Sequence, residues 1–135
     1  MPTKGKTAPR RTSRTAWLTA LNGLADDITR WSREQRWLVQ REQKEIREER
    51  LGTYSAPYLI VQTPQGRFVV DSIGQSVIGA SGRVDLYAWP SFHRVRLLLR
   101  QAGTWKVRTD SGIDWPKPWN RETFVQLVKD LVAAE

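Results

Sequence analysis

The chain has 135 residues, with 22 Lys and Arg against 14 Asp and Glu, one histidine, no cysteine and a formal charge of +8. That length suits one domain with a core, the lack of cysteine excludes disulfides, thiolate metal sites and a cysteine nucleophile, and no run approaches the ~18 apolar residues of a membrane-spanning helix. The charge points to an anionic partner, and it is unevenly spread: residues 1–14 hold five cations and no acid, 15–51 balance seven against seven, and 52–135 hold ten against seven.

Residues 1–12 are too polar to order themselves and read as a flexible basic arm, ahead of a single α+β domain over 13–135. Lys4, Lys6, Arg10, Arg11 and Arg14 are its candidate phosphate contacts. From Ser13, a candidate N-cap, apolar residues recur at three-four spacing through Trp17, Leu21, Leu24, Ile28, Trp31 and Leu38, with Val39 and Ile46 following after a slip of one position. The spacing predicts a long helix over 13–51, ended by Gly52. Opposite charges four apart at Arg41/Glu45 and Lys44/Glu48 support its second half. Such a helix would be about 57 Å long, longer than the roughly 36 Å diameter of a domain this size. It therefore breaks near Asn22 or Gly23, pairs with another helix, or leaves its last turns in solvent. Trp37, one position off the apolar stripe, is the candidate for an interface.

Beyond Gly52 the period becomes two. Residues 58–63 and 67–71 flank Pro64-Gln-Gly66, a turn with Pro presetting φ and Gly supplying freedom. Residues 72–82 read as a loop or brief edge strand; Gly74, Gly79 and Gly82 match no dinucleotide or P-loop spacing. Three alternating runs follow, 83–89, 94–100 and 105–109, joined by tight turns. Pairing Val84 with Leu99, Leu86 with Leu97, and Leu97 with Val107 gives one apolar face. The other face carries Arg83, Asp85, Tyr87, Trp89, Arg94, Arg96, Leu98, Arg100, Lys106 and Arg108. Arg96 stands directly opposite Arg108, a like-charge pair that favours an approaching anion. Residues 113–119 form a Pro-stiffened crossover with Trp115 and Trp119, and Asn120 caps a C-terminal helix over 120–134 that buries Phe124, Leu127, Val128, Leu131 and Val132.

The expected architecture is α+β: a long N-terminal helix, an antiparallel sheet of about five strands over 57–109, and a C-terminal helix packed on the sheet. Strands followed by one covering helix resemble, in topology alone, the Whirly and Pur-type modules that bind single-stranded nucleic acid. No motif marks a reaction, a cofactor or a small-molecule substrate. His93 is a lone turn histidine, and Asp71, Asp85, Asp110 and Asp114 would make a magnesium site only if they converged. These residues read as a non-enzymatic module that binds nucleic acid, single-stranded in preference, through the basic, aromatic sheet face and the arm. The alternative is an adaptor that docks, as a homodimer or in a larger assembly, through the long helix, Trp37, Trp115 and Trp119. A cytoplasmic setting suits a chain without cysteine.

Overall fold

Ser13 caps the first helix as its position suggests, accepting from the Ala16 amide at 3.1 Å through its hydroxyl. The structure, a computed structural model, describes residues 13–75, 80–100 and 103–133, so Lys4, Lys6, Arg10 and Arg11 lie outside the described residues. Helix α1 spans Arg14–Glu34 and buries Trp17, Leu21, Leu24, Ala25, Ile28 and Trp31 on one face. It runs through Gly23 without a break.

The helix does not continue to residue 51. It stops where the Gln35 amide turns back to Trp31 and Ser32 and Arg36 enters the left-handed region, φ 64°, with the Trp37 amide donating to the Ser32 carbonyl at 3.0 Å. From there the chain is extended as β1, Leu38–Glu48, followed by β2, Gly52–Gln62, and the two pair in register from Leu38↔Gln62 to Glu48↔Gly52. The charge pairs expected along a helix are therefore not made, because residues four apart on a strand are roughly 13 Å apart. Arg41 instead reaches Asp26 on α1 at 2.8 Å and Lys44 reaches Asp71 at 2.6 Å. Gly52, read as a helix end, closes the hairpin with φ 78°. A long apolar partner strand outweighs the local helical preference of 40–50, as tertiary context commonly does.

The remaining strands are β3 (Arg67–Gly74), β4 (Arg83–Trp89), β5 (Arg94–Leu99) and β6 (Trp105–Thr109), and helix α2 spans Arg121–Ala133. The six strands form an antiparallel meander in the order β1-β2-β3-β4-β5-β6, the extra strand being the one drawn from the expected helix. The β5–β6 register is the expected one, but β4–β5 is offset by two: Val84 faces Leu97 and Leu86 faces Val95. The four-residue turn 90–93 sets this, with Phe92 at φ 67° and the Ala88 amide bonded to the His93 carbonyl at 2.8 Å. A shift of two leaves every side chain on its face.

Both helices cover one face. Asn120 caps α2, its Oδ1 accepting from the Thr123 amide at 2.9 Å, and Phe124, Leu127, Val128, Leu131 and Val132 are buried. Trp17 joins distant parts of the sheet: its indole N–H donates to the Tyr54 hydroxyl on β2 at 2.9 Å, and its ring lies 6.3 Å from that of Trp105 on β6. Arg14 belongs to this joint and not to a phosphate-seeking arm, since its guanidinium donates to the Leu51 and Thr53 carbonyls at 2.7 and 3.3 Å and lies over the Tyr54 ring.

Candidate functional site

The face that neither helix covers carries a row of side chains across all six strands: Glu42, Tyr58, Asp71, Asp85, Arg96 and Arg108, opposed in that order from β1 to β6. Its charge runs from acidic on β1–β4 to basic on β5 and β6. The next row holds Gln40, Ile60, Val69, Tyr87 and Arg94, and the one beyond it ends in Arg67 and Trp89. The sheet thus brings the expected arginines and aromatics onto one surface.

It also partly neutralises them. Arg83 grips Asp85 with two hydrogen bonds, 2.7 and 2.9 Å, which raises the pKa of its guanidinium further, and Arg94 lies 3.6 Å from the same carboxylate and 3.7 Å from Asp110. Asp114, folded back beside β6 from the crossover, takes Arg108 at 2.8 Å and Arg100 at 3.6 Å. The hydrogen bond from Arg108 holds the Asp114 carboxyl below the usual carboxylate range. The expected clash of Arg96 with Arg108 is therefore relieved on one side by Asp114 and on the other by Asp85, which stands opposite Arg96.

Of the six cations at the β4–β6 end, two are left over. Among the described residues neither Arg96 nor Lys106 has a carboxylate within ion-pair distance, and Arg96 Nε is buried with no hydrogen-bond acceptor. A buried donor of that kind costs free energy until an acceptor arrives. Arg83, Arg94, Arg96, Arg100, Lys106 and Arg108 together face Asp85, Asp110 and Asp114, leaving this end of the sheet positive.

The aromatic end of the face lies at the β4–β5 turn. Trp89 is 46 % exposed and Phe92 is 57 % exposed; their rings meet edge to face at 4.9 Å, and Phe92 stacks on Tyr87 at 5.8 Å. Tyr87 in turn is hydrogen-bonded to Tyr58. Phe92, Tyr58 and Arg67 were not among the residues singled out by sequence. Phe92 sits in a turn, where strand alternation assigns no side, and a positive φ aims it back over β4.

The tryptophans expected to dock a partner lie elsewhere. Trp37 is only 6 % exposed, packed against Phe68 and Phe124 with ring centroids 6.2 and 6.1 Å away, so it belongs to the core. Trp119 is half-buried against Trp31 and Phe124, and Trp115 is half-buried, its amide bonded to the Val107 carbonyl at 2.8 Å. Both hold the crossover against the core. The four aspartates are each engaged by a lysine or arginine, and no three His, Cys, Asp or Glu among the described residues come together as a metal site. No helix of the described residues is long and apolar enough to cross a membrane.

Tyr54 and Tyr87 give the fold an alkaline limit. Burial raises both phenols, reinforced by hydrogen bonds from Tyr54 to Glu48 and between Tyr87 and Tyr58. The folded chain holds these protons more tightly than the unfolded chain, whose tyrosines ionise near pH ~10. Stability is thus unaffected below about pH 10 and falls as pH rises beyond it. Urea midpoints measured from about pH 8 to about pH 11 are expected to be level at first and then to drop; a midpoint still level at the top of that range contradicts the assignment.

No protein-family model, curated protein or solved structure matches the chain. What the site does is therefore read from its own side chains.

Proposed function

We propose that the open sheet face binds single-stranded nucleic acid, without catalysis and with little sequence preference. The observation that carries this reading is the meeting, on one uncovered surface, of exposed Trp89 and Phe92 with two cations, Arg96 and Lys106, that have no carboxylate partner among the described residues. Phosphates suit the cations, because an arginine offers several N–H donors in a fixed fork and a buried donor gains most from a charged acceptor. Unpaired bases suit the aromatics, because every base has a face to stack and duplex bases do not offer theirs. The carboxylates along β1–β4 repel a phosphate backbone, which leaves β4–β6 and the β4–β5 turn as the track. The 1–12 segment, with four cations of its own, adds charge to the same partner.

Anisotropy titrations of labelled single strands and duplexes test this. Trp89→Ala and Phe92→Ala are each expected to weaken single-strand binding by about 1 to 3 kcal/mol, the range for loss of one stacked base, while leaving weak duplex binding nearly unchanged. Equal losses for both nucleic acids, or none, would remove the stacking role.

The features that favoured the adaptor reading are engaged within the fold, Trp115 and Trp119 being half-buried against the core. Trp37 is in the core, and the helix that was to carry the contact ends at Glu34.

A further inference from the structure

Strand β1 is an edge that nothing among the described residues covers. The opposite edge is closed: the Trp115 amide bonds to the Val107 carbonyl at 2.8 Å and the Thr109 amide to the Ile113 carbonyl at 2.9 Å, so the crossover runs beside β6. β1 is 11 residues long and pairs on one side only, with β2. A long free edge is a template for another strand, and charged side chains on it usually discourage that.

Which backbone groups of β1 face outward follows from Pro57. Within an antiparallel strand a residue's N–H and C=O point to the same side, and successive residues alternate. The Pro57 carbonyl accepts from Ser72 Oγ on β3 at 2.8 Å, so Pro57 faces β3. Its β1 partner, Gln43, therefore turns its own N–H and C=O away from β2. By alternation so do Val39, Arg41, Glu45 and Arg47. An antiparallel neighbour must set its outward residues against these, which restricts a second copy of β1 to pairings with a residue, not a peptide bond, on the two-fold axis.

Five such pairings overlap by seven residues or more of the 11 in β1. Centring on Arg41, Glu42, Lys44 or Glu45 sets that charged residue against its own copy. Centring on Gln43 sets Arg41 against Glu45 and Glu42 against Lys44, each twice by symmetry, with no like charges opposed along the whole of 38–48. The charges that bar every other extended register support this one. Arg41 and Lys44 each already hold one carboxylate, at Asp26 and Asp71, yet both side chains stay about one-third exposed, 31 % and 34 %. Exposed ion pairs add little energy, so the backbone ladder supplies the adhesion and the charges fix the register.

We infer that two copies of this chain associate through β1, about a two-fold axis at Gln43, into one continuous sheet. This does not depend on the nucleic-acid reading.

The chain has no cysteine, so one introduced thiol reports the register. Opposed residues of a hydrogen-bonded antiparallel pair have Cα atoms about 5.5 Å apart, within disulfide range. Gln43→Cys is therefore expected to cross-link to itself under mild oxidation. Glu45→Cys, roughly 13 Å along the strand from its own copy, is not. In sedimentation equilibrium the unmodified chain is expected to form dimers. Gln43→Pro, which removes an outward N–H and no β1–β2 bond, is expected to sediment as a folded monomer. Should that variant not fold, Glu45→Lys serves instead: it sets lysine against Arg41 and is expected to raise the dimer dissociation constant at least tenfold. A chain that stays monomeric up to several hundred micromolar, cross-linking at 45 as fast as at 43, or a dimer indifferent to the substitution used, each overturns the inference.

Discussion

Replacing Gly82 by alanine is expected to lower the stability of the fold by about 3 kcal/mol, the upper part of the range for overpacking a core. A Cβ at Gly82 would lie 2.1 Å from Cζ3 and 2.4 Å from Cη2 of Trp17, well inside any real contact. The indole has nowhere to go. Trp17 is fully buried, its N–H is bonded to the Tyr54 hydroxyl, and its ring packs against Trp105. Moving it loosens the joint between α1, the β1–β2 hairpin and β6 together. Urea unfolding measures the loss, and a double-mutant cycle identifies its source. Trp17→Phe removes the ring atoms that clash, so Gly82→Ala is expected to cost far less in that background. Additive costs would show that the clash is not the cause.

Phe124→Ala is expected to cost about 4 kcal/mol, within the range for emptying a buried aromatic site. Phe124 is fully buried, and four rings surround it: Trp31, Trp37, Phe68 and Trp119, with centroids 5.6, 6.1, 6.0 and 5.7 Å away. These rings come from α1, the α1–β1 link, β3 and the crossover. Removing their common neighbour leaves a cavity that none can fill alone, because each is fixed by its own element. Thermal unfolding with near-ultraviolet circular dichroism, which senses packed tryptophans, should show a lower midpoint and a weaker folded-state signal. A loss below about 1 kcal/mol would mean that the cluster repacks and that its rings are not fixed by their own elements.

The sheet–helix architecture was legible where local pattern and tertiary outcome agree. Period-two runs after Gly52, the Pro64-Gln-Gly66 turn, and the caps at Ser13 and Asn120 all formed as their residues dictate. The failure at 38–48 has a single cause: a charged, straight-chain segment with good helical propensity forms a strand because β2 lies beside it, and nothing local records that partner. The helix-ending residue was equally hidden, since Arg36 takes a left-handed conformation that glycine usually signals.

The open face was legible as a face and not as a charge distribution. Alternation put Arg83, Tyr87, Trp89, Arg94, Arg96, Lys106 and Arg108 on one side, and a two-residue register error changed none of them. It did hide that Asp85 stands opposite Arg96. Asp114 was within reach of sequence reasoning, because the turn at 110–112 sends the chain back along β6 and sets Asp114 opposite Arg108. Counting that pair divides the six cations of the β4–β6 end into the four already engaged and the two, Arg96 and Lys106, that are not.

The measurement that bears most directly on the nucleic-acid reading is the salt dependence of single-strand binding by the full chain and by an Arg96→Ala, Lys106→Ala double variant. Neither side chain is held by a carboxylate among the described residues, so the variant should keep its fold. Each phosphate contact on a single strand adds about 0.7 to the slope of log affinity against log salt. The proposed function predicts weaker binding in the variant and a slope shallower by about 1.4. No binding at low ionic strength, or a slope unaltered by the two substitutions, would contradict it.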